Sequence, residues 1–161
     1  MDKKEAQSAG ASRAEASTER ERTPFGTIEI RSHATDFTVE MRGHSAADLF
    51  RLGAWTLARL QVSEWPEEGS VKDVVELESD GWDDLLVNWM NQLLFLSEKH
   101  RAMWTEVEFS RIQETGIAAV IKGKPWPERA EAVREIKSAA YSGLELVPGP
   151  SLWLARVTLE L

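Results

Sequence analysis

Asp36-Phe37-Thr38-Val39-Glu40-Met41-Arg42-Gly43-His44-Ser45-Ala46-Ala47-Asp48-Leu49-Phe50 changes its period at its centre. Phe37, Val39 and Met41 alternate with Asp36, Thr38 and Glu40, the two-residue repeat of a strand with one face buried. Arg42-Gly43 ends that alternation. Ser45 then offers a side-chain oxygen as a helix cap, Asp48 takes the third helical position, and Leu49, Phe50, Leu57 and Leu60 line a buried side together with Gly53. A half-buried strand that runs directly into an amphipathic helix needs a shared core, and this is the signature of an α+β domain.

The same reading extends outward. Phe25 to Arg31 has strand character and pairs with the Asp36 strand around the turn at His33. Downstream, the first helix stops before Trp65-Pro66, Val71 to Leu77 is a strand, and Asp80-Gly81 opens a second helix. The broad apolar face of that helix is Leu85, Leu86, Trp89, Leu93 and Leu96. Met103, Val107 and Phe109 share a phase, Gly116 to Lys122 is strand-like, and Pro125-Trp126-Pro127 forbids a simple central strand there. Val133 to Tyr141, a turn at Ser142-Gly143, and Leu144 to Val147 precede a last strand. In it Trp153, Ala155, Val157, Leu159 and Leu161 face one way, while Arg156, Thr158 and Glu160 face the other. Two main helices packed on a predominantly antiparallel sheet form a single domain, expected to span residues 24–161. The Ala-, Ser-, Glu- and Arg-rich residues 1–23 are expected to form a flexible amino-terminal tail.

A chain of 161 residues is long enough for one well-packed core and short for two. Its 19 Lys and Arg against 27 Asp and Glu give a net charge of -8, which disfavours unaided binding to a nucleic-acid backbone. The absence of cysteine excludes disulfides, thiolate metal sites and a cysteine nucleophile. No apolar run is long enough for a secretory leader or a membrane span, so a cytoplasmic location is expected.

Asp36 and Glu160 both lie on the polar phase of alternating segments, where strand ends would bring two hard oxygen ligands together. A divalent cation is one reading, and solvated strand carboxylates are the plain alternative. His33 reads either as a ligand or proton carrier hydrogen-bonded to Asp36, or as a turn histidine satisfied by backbone. Lys137 and Tyr141, four residues apart, could hold a phosphate or a partner carboxylate. Equally, they could be a solvated lysine and a tyrosine covering the sheet edge. There is no glycine-rich phosphate loop, dinucleotide fingerprint, serine-nucleophile motif or HExxH sequence.

The ordered motifs His33-Ala34-Thr35-Asp36, Gly43 to Phe50, Leu85 to Leu96, Ile136 to Ser142 and Val157-Thr158-Leu159-Glu160-Leu161 resemble the archease family, from about Phe25 to the end. The resemblance implies an activating protein cofactor of the tRNA-splicing type of RNA ligase, not an enzyme itself. Such a protein promotes formation of the ligase's guanylylated intermediate and its turnover, with GTP used by the ligase and RNA met mainly through it. It also implies a divalent cation, calcium first with magnesium or manganese as alternatives, held by Asp36, Glu160 and an oxygen of Leu161, with His33, Lys137 and Tyr141 as partner-facing or supporting residues. Three departures stand out. The first motif usually reads H-T-A-D, the final acid is usually Asp rather than Glu160, and a usual K-A-x-T-Y-H is Lys137-Ser138-Ala139-Ala140-Tyr141-Ser142 here. A divergent metal-dependent hydrolase and an interaction protein without ligase-related activity are the alternatives.

Overall fold

The computed structural model describes residues 17–65 and 68–161. In chain order the elements are β1 (Ser17–Thr23), β2 (Gly26–Ser32), β3 (Asp36–Gly43), α1 (Ala46–Gln61), β4 (Val71–Glu78), α2 (Trp82–His100), β5 (Ala102–Gln113), β6 (Gly116–Pro125), β7 (Ser138–Val147) and β8 (Trp153–Glu160). They form a five-stranded sheet of order β1-β2-β3-β8-β7 and a three-stranded sheet of order β4-β6-β5, with every pairing antiparallel. The α+β fold with two main helices is thus the one expected from the periodicity.

Each helix touches both sheets, α1 through β2, β3, β8 and β5, and α2 through β7, β4 and β5. A helix packed on two sides needs apolar residues over more than one stripe. In α1 these are Leu49, Phe50, Leu52, Ala54, Leu57 and Leu60, and in α2 they are Leu85, Leu86, Trp89, Met90, Leu93 and Leu96, all buried. The α1 start follows the sequence reading, because Ser45 Oγ accepts from the Asp48 N–H at 3.1 Å. A Cβ added at Gly53 would lie 3.5 Å from the Met90 side chain, at ordinary van der Waals contact between the two helices. Phe37, Val39 and Met41 of β3 and Ala155, Val157 and Leu159 of β8 point into this core.

Three expectations need correction. Ser17–Thr23, read as the end of a tail, form β1 and pair along their whole length with β2. The charged Thr18 to Arg22 run lacks an apolar stripe because an edge strand held by backbone pairing and salt bridges needs none. Residues 1–16 of the expected tail lie outside the described residues. Second, Val133–Lys137 do not belong to a strand: Val133 makes an isolated bridge to Val62, and β7 begins at Ser138. Third, Ser142-Gly143 does not separate two strands. Four residues of β7, Tyr141 to Leu144, bulge opposite the single Val157 of β8, with Gly143 at φ 73°, and pairing resumes at Glu145. Pro125 is the last residue of β6, the middle strand of the small sheet, and the Trp126 N–H beyond it returns to the Arg101 carbonyl at 2.7 Å.

At the far end of α2, His100 Nε2 lies 2.7 Å from Asp73 Oδ2 and ties the helix to β4, an edge strand. The His100 hydrogen bond, followed by one from the Val74 N–H, holds the Asp73 carboxyl below the ordinary carboxylate range. A depressed carboxylate pKa contributes stability above the unfolded value of about 3.9, and that stability is lost as pH falls through the folded value. Asp73→Asn should therefore lower Tm at neutral pH, and the gap to wild type should close on acidification below pH of about 4. A gap that stays constant from neutral to strongly acid pH would show that the pair contributes nothing.

Candidate functional site

The turn between β2 and β3 and the end of β8 meet at one end of the large sheet. His33 N–H donates to the Asp36 carbonyl at 2.9 Å, and Leu161 N–H donates to the Thr35 carbonyl at 3.1 Å. Asp36 stands directly opposite Glu160 across the β3–β8 ladder. Because Thr35 and Leu161 carry the ladder hydrogen bond, Asp36 and Glu160 form the neighbouring non-hydrogen-bonded pair, in which side chains stand closest. Both residues belong to the outward phase of their strands, with Asp36 half-buried and Glu160 exposed.

The charge pattern of this outer face singles the pair out. Two rows nearer the middle of the sheet, Glu29 of β2 faces Glu40 of β3, another acid-acid neighbour pair. Arginines surround that pair: Arg20 at 2.6 Å and Arg31 at 3.3 Å from Glu29, Arg156 at 3.5 Å and Arg42 at 3.9 Å from Glu40. Asp36 and Glu160 have no salt bridge with any cation among the described residues. Among the described residues Glu160 Oε1 accepts only a hydroxyl, from Ser138 Oγ at 2.9 Å. Like charges placed directly opposite repel, so this face balances one acid pair internally and leaves the other unbalanced.

The donor chemistry suits a hard cation. Two carboxylates on directly opposed residues supply hard oxygen. Among the described residues no cluster of three or more His, Cys, Asp or Glu side chains forms, so a cation here would take much of its shell from water and backbone oxygen.

The other expected residues separate. His33 contributes its backbone to the turn, and its exposed ring makes no hydrogen bond among the described residues, to Asp36 or to any other group. Lys137 N–H donates to the Glu160 carbonyl at 2.7 Å, which places this exposed lysine beside the acidic pair. Tyr141 does not join it. Lys137 precedes β7, whereas Tyr141 follows buried Ala139 by two residues, on the side of the strand that meets α2, and its Oη donates to Asp84 Oδ1 of α2 at 2.6 Å.

A polar seam that the motif reading passed over links β7 to α2. Asp84 Oδ2 accepts from Ser79 Oγ at 3.1 Å and from Asn88 Nδ2 at 3.2 Å, and the Asn91 side chain both donates to the Ala139 carbonyl at 3.1 Å and accepts from its N–H at 2.7 Å. Asp84, Asn88 and Asn91 are spaced by four and three residues, a polar stripe beside the apolar face of α2, and that spacing was the available signal. The Asp84 hydrogen bond favours the protonated phenol and raises the Tyr141 pKa above its ordinary value. Tyr141 is the only tyrosine in the chain, so ultraviolet titration reads it alone. The midpoint should lie above that of free tyrosine and fall in Asp84→Asn; an unshifted midpoint in both would dismiss the seam hydrogen bond in solution.

Comparison with known proteins agrees with this architecture. Residues 29–161 match the model of the archease protein family. The chain is 26% identical to the protein archease of Methanosarcina mazei over 138 residues, covering 83% of this chain and 94% of that one, and it matches the protein archease of Methanosarcina acetivorans to the same extent. Its fold is similar to the solution structure of Methanobacterium thermoautotrophicum protein 1598, with TM-score 0.62, 22% identity and coverage of 83% of this chain and 98% of that one. It is also similar in fold to the crystal structure of an archease, described as a possible chaperone, from Thermotoga maritima, with TM-score 0.56, 14% identity and coverage of 77% and 89%. With a family match that begins within β2 and runs to residue 161, the chain belongs to the archease family.

Proposed function

We propose that this archease activates its RNA ligase through the end of the large sheet, where Asp36 and Glu160 hold a divalent cation and Lys137 meets the partner. Archeases are protein cofactors of tRNA-splicing RNA ligases, and membership gives this chain that general role. Membership also sets the hydrolase alternative aside. The finer reading is that the chain promotes ligase guanylylation and turnover, with the GTP consumed by the ligase.

The observation that carries the reading is the unbalanced acid pair. A fold that surrounds Glu29 and Glu40 with four arginines leaves Asp36 and Glu160 with none among the described residues. When bound, a cation such as calcium, magnesium or manganese would neutralise the pair and offer open coordination positions to an oxygen ligand of the partner. The chain's own part is to fix the two carboxylates by sheet register, hold Glu160 through Ser138, and keep Lys137, whose N–H donates to the Glu160 carbonyl, beside that strand end. An ammonium there can pair with a carboxylate or phosphate. Glu160 in place of the usual Asp adds a methylene of reach, and the Ser138 hydroxyl restrains that longer side chain.

The test needs no ligase. In EDTA, Asp36→Asn removes one of two repelling charges and should raise stability by roughly 0.2–1 kcal/mol. Added calcium should raise the wild-type Tm and leave Asp36→Asn and Glu160→Gln nearly unmoved. Equal calcium responses in wild type and both variants would place the cation elsewhere and reject the site.

A further inference from the structure

A second, differently charged feature lies at the same end of the large sheet, on its inner side. A groove of about 540 Å³ opens between β1, the end of β2, the carboxy-terminal turn of α1 and the segment of residues 131–134. That volume is in the range of small-ligand sites. The segment forming one wall is fixed at four points: Val133 bridges Val62, Arg134 N–H donates to the Gln61 carbonyl at 2.6 Å, Ile136 is buried in the core, and Lys137 N–H donates to Glu160.

The groove's carboxylates already have partners. Glu19 lies 3.7 Å from Arg59, and Glu131 lies 3.1 Å from Arg129. Arg134 is the exception. Its guanidinium lies over the Phe37 ring at 5.1 Å from the centroid, and Nη1 reaches the Leu60 carbonyl at 3.5 Å. Among the described residues no carboxylate pairs with it. Stacking on an aromatic face orients a guanidinium without using most of its N–H donors, and a planar fork with free donors matches an oxyanion. The hydroxyls of Ser32 and Ser63 stand on the flanking walls.

From this arrangement we propose that the groove binds a phosphate monoester, with Arg134 as the group that contacts the phosphate. The charge balance selects the class. One unpaired guanidinium offsets about half of the roughly two charges on a phosphate monoester, whereas a triphosphate would bring about twice that charge, for which the groove holds no further unpaired cation among the described residues. A nucleoside monophosphate and the terminal phosphate of an RNA strand share this chemistry. The inference goes beyond the ligase-activating reading and does not depend on it, because binding needs neither ligase nor divalent cation.

The experiment is an amide NMR titration of the full chain in EDTA with GMP, GTP, inorganic phosphate and a short 3′-phosphorylated oligoribonucleotide. GMP or the oligonucleotide should give saturable shifts at Ser32, Phe37, Ser63 and Arg134, and whichever binds tighter identifies the source of the phosphate. GTP should bind more weakly than GMP. Arg134→Ala should weaken binding at least about tenfold, and Arg134→Lys, which keeps charge but not the fork, should fall between. The variants' own spectra report whether the fold survives, and Arg134→Gln replaces Arg134→Ala if it does not. No saturable shift with any probe at millimolar concentration, or equal affinity in wild type and folded Arg134 variants, overturns the proposal.

Discussion

Replacing Trp89 by alanine should cost about 3–5 kcal/mol, a large part of the roughly 5–15 kcal/mol that holds a domain of this kind folded. Trp89 is fully buried on α2, its ring packs against Phe50 at 6.3 Å and Phe109 at 5.5 Å between centroids, and its Nε1 donates to the Phe50 carbonyl of α1 at 2.9 Å. Truncation therefore opens a cavity where both helices and β5 meet, and it also removes a hydrogen bond that joins the helices. Trp89→Phe keeps most of the ring and loses the bond, so its cost should be smaller, on the order of 1–3 kcal/mol. Urea denaturation measures both. An alanine variant within about 1 kcal/mol of wild type would mean that the core is not centred on this residue.

That core was legible because its signals are local. The alternation of Phe37, Val39 and Met41, the Ser45 cap and the apolar face of Leu85 to Leu96 each fix an element from its own residues, and the structure places all three as expected. What the sequence hid depends on distant partners. The β1 strand has no apolar stripe, and its evidence is the pairing with β2 together with the Arg59 salt bridges to Glu19 and Glu21. Likewise, nothing local shows that β7 begins only at Ser138, which leaves Lys137 outside the strand, or that Tyr141 meets Asp84 of α2.

The acidic pair was half legible. Alternation put Asp36 and Glu160 on the polar phase, but register across the β3–β8 ladder decides that they face one another. Equally invisible was the contrast that gives the pair its meaning. Arg31 and Arg42 follow Glu29 and Glu40 by two residues on their own strands, but only the sheet order adds Arg20 and Arg156 while leaving Asp36 and Glu160 without a cation among the described residues. Ser138, which restrains Glu160, was passed over because its role depends on a strand 22 residues away.

The second large effect concerns function. Asp36→Ala should remove most of the acceleration this chain gives to its ligase while leaving the fold intact, because Asp36 lies on the outward face of β3 and makes no core contact. Lys137→Ala should also reduce acceleration, but without changing the calcium dependence of Tm, since Lys137 reaches the pair only through its backbone N–H. The most direct measurement is a reconstituted reaction of the cognate ligase with GTP, divalent metal and broken RNA, following ligase guanylylation and multiple-turnover sealing with and without this protein. Wild type should accelerate both steps and Asp36→Ala neither, at equal concentrations of folded protein. Acceleration by Asp36→Ala equal to wild type, or no acceleration by wild type across suitable metals and RNA ends, would contradict the account.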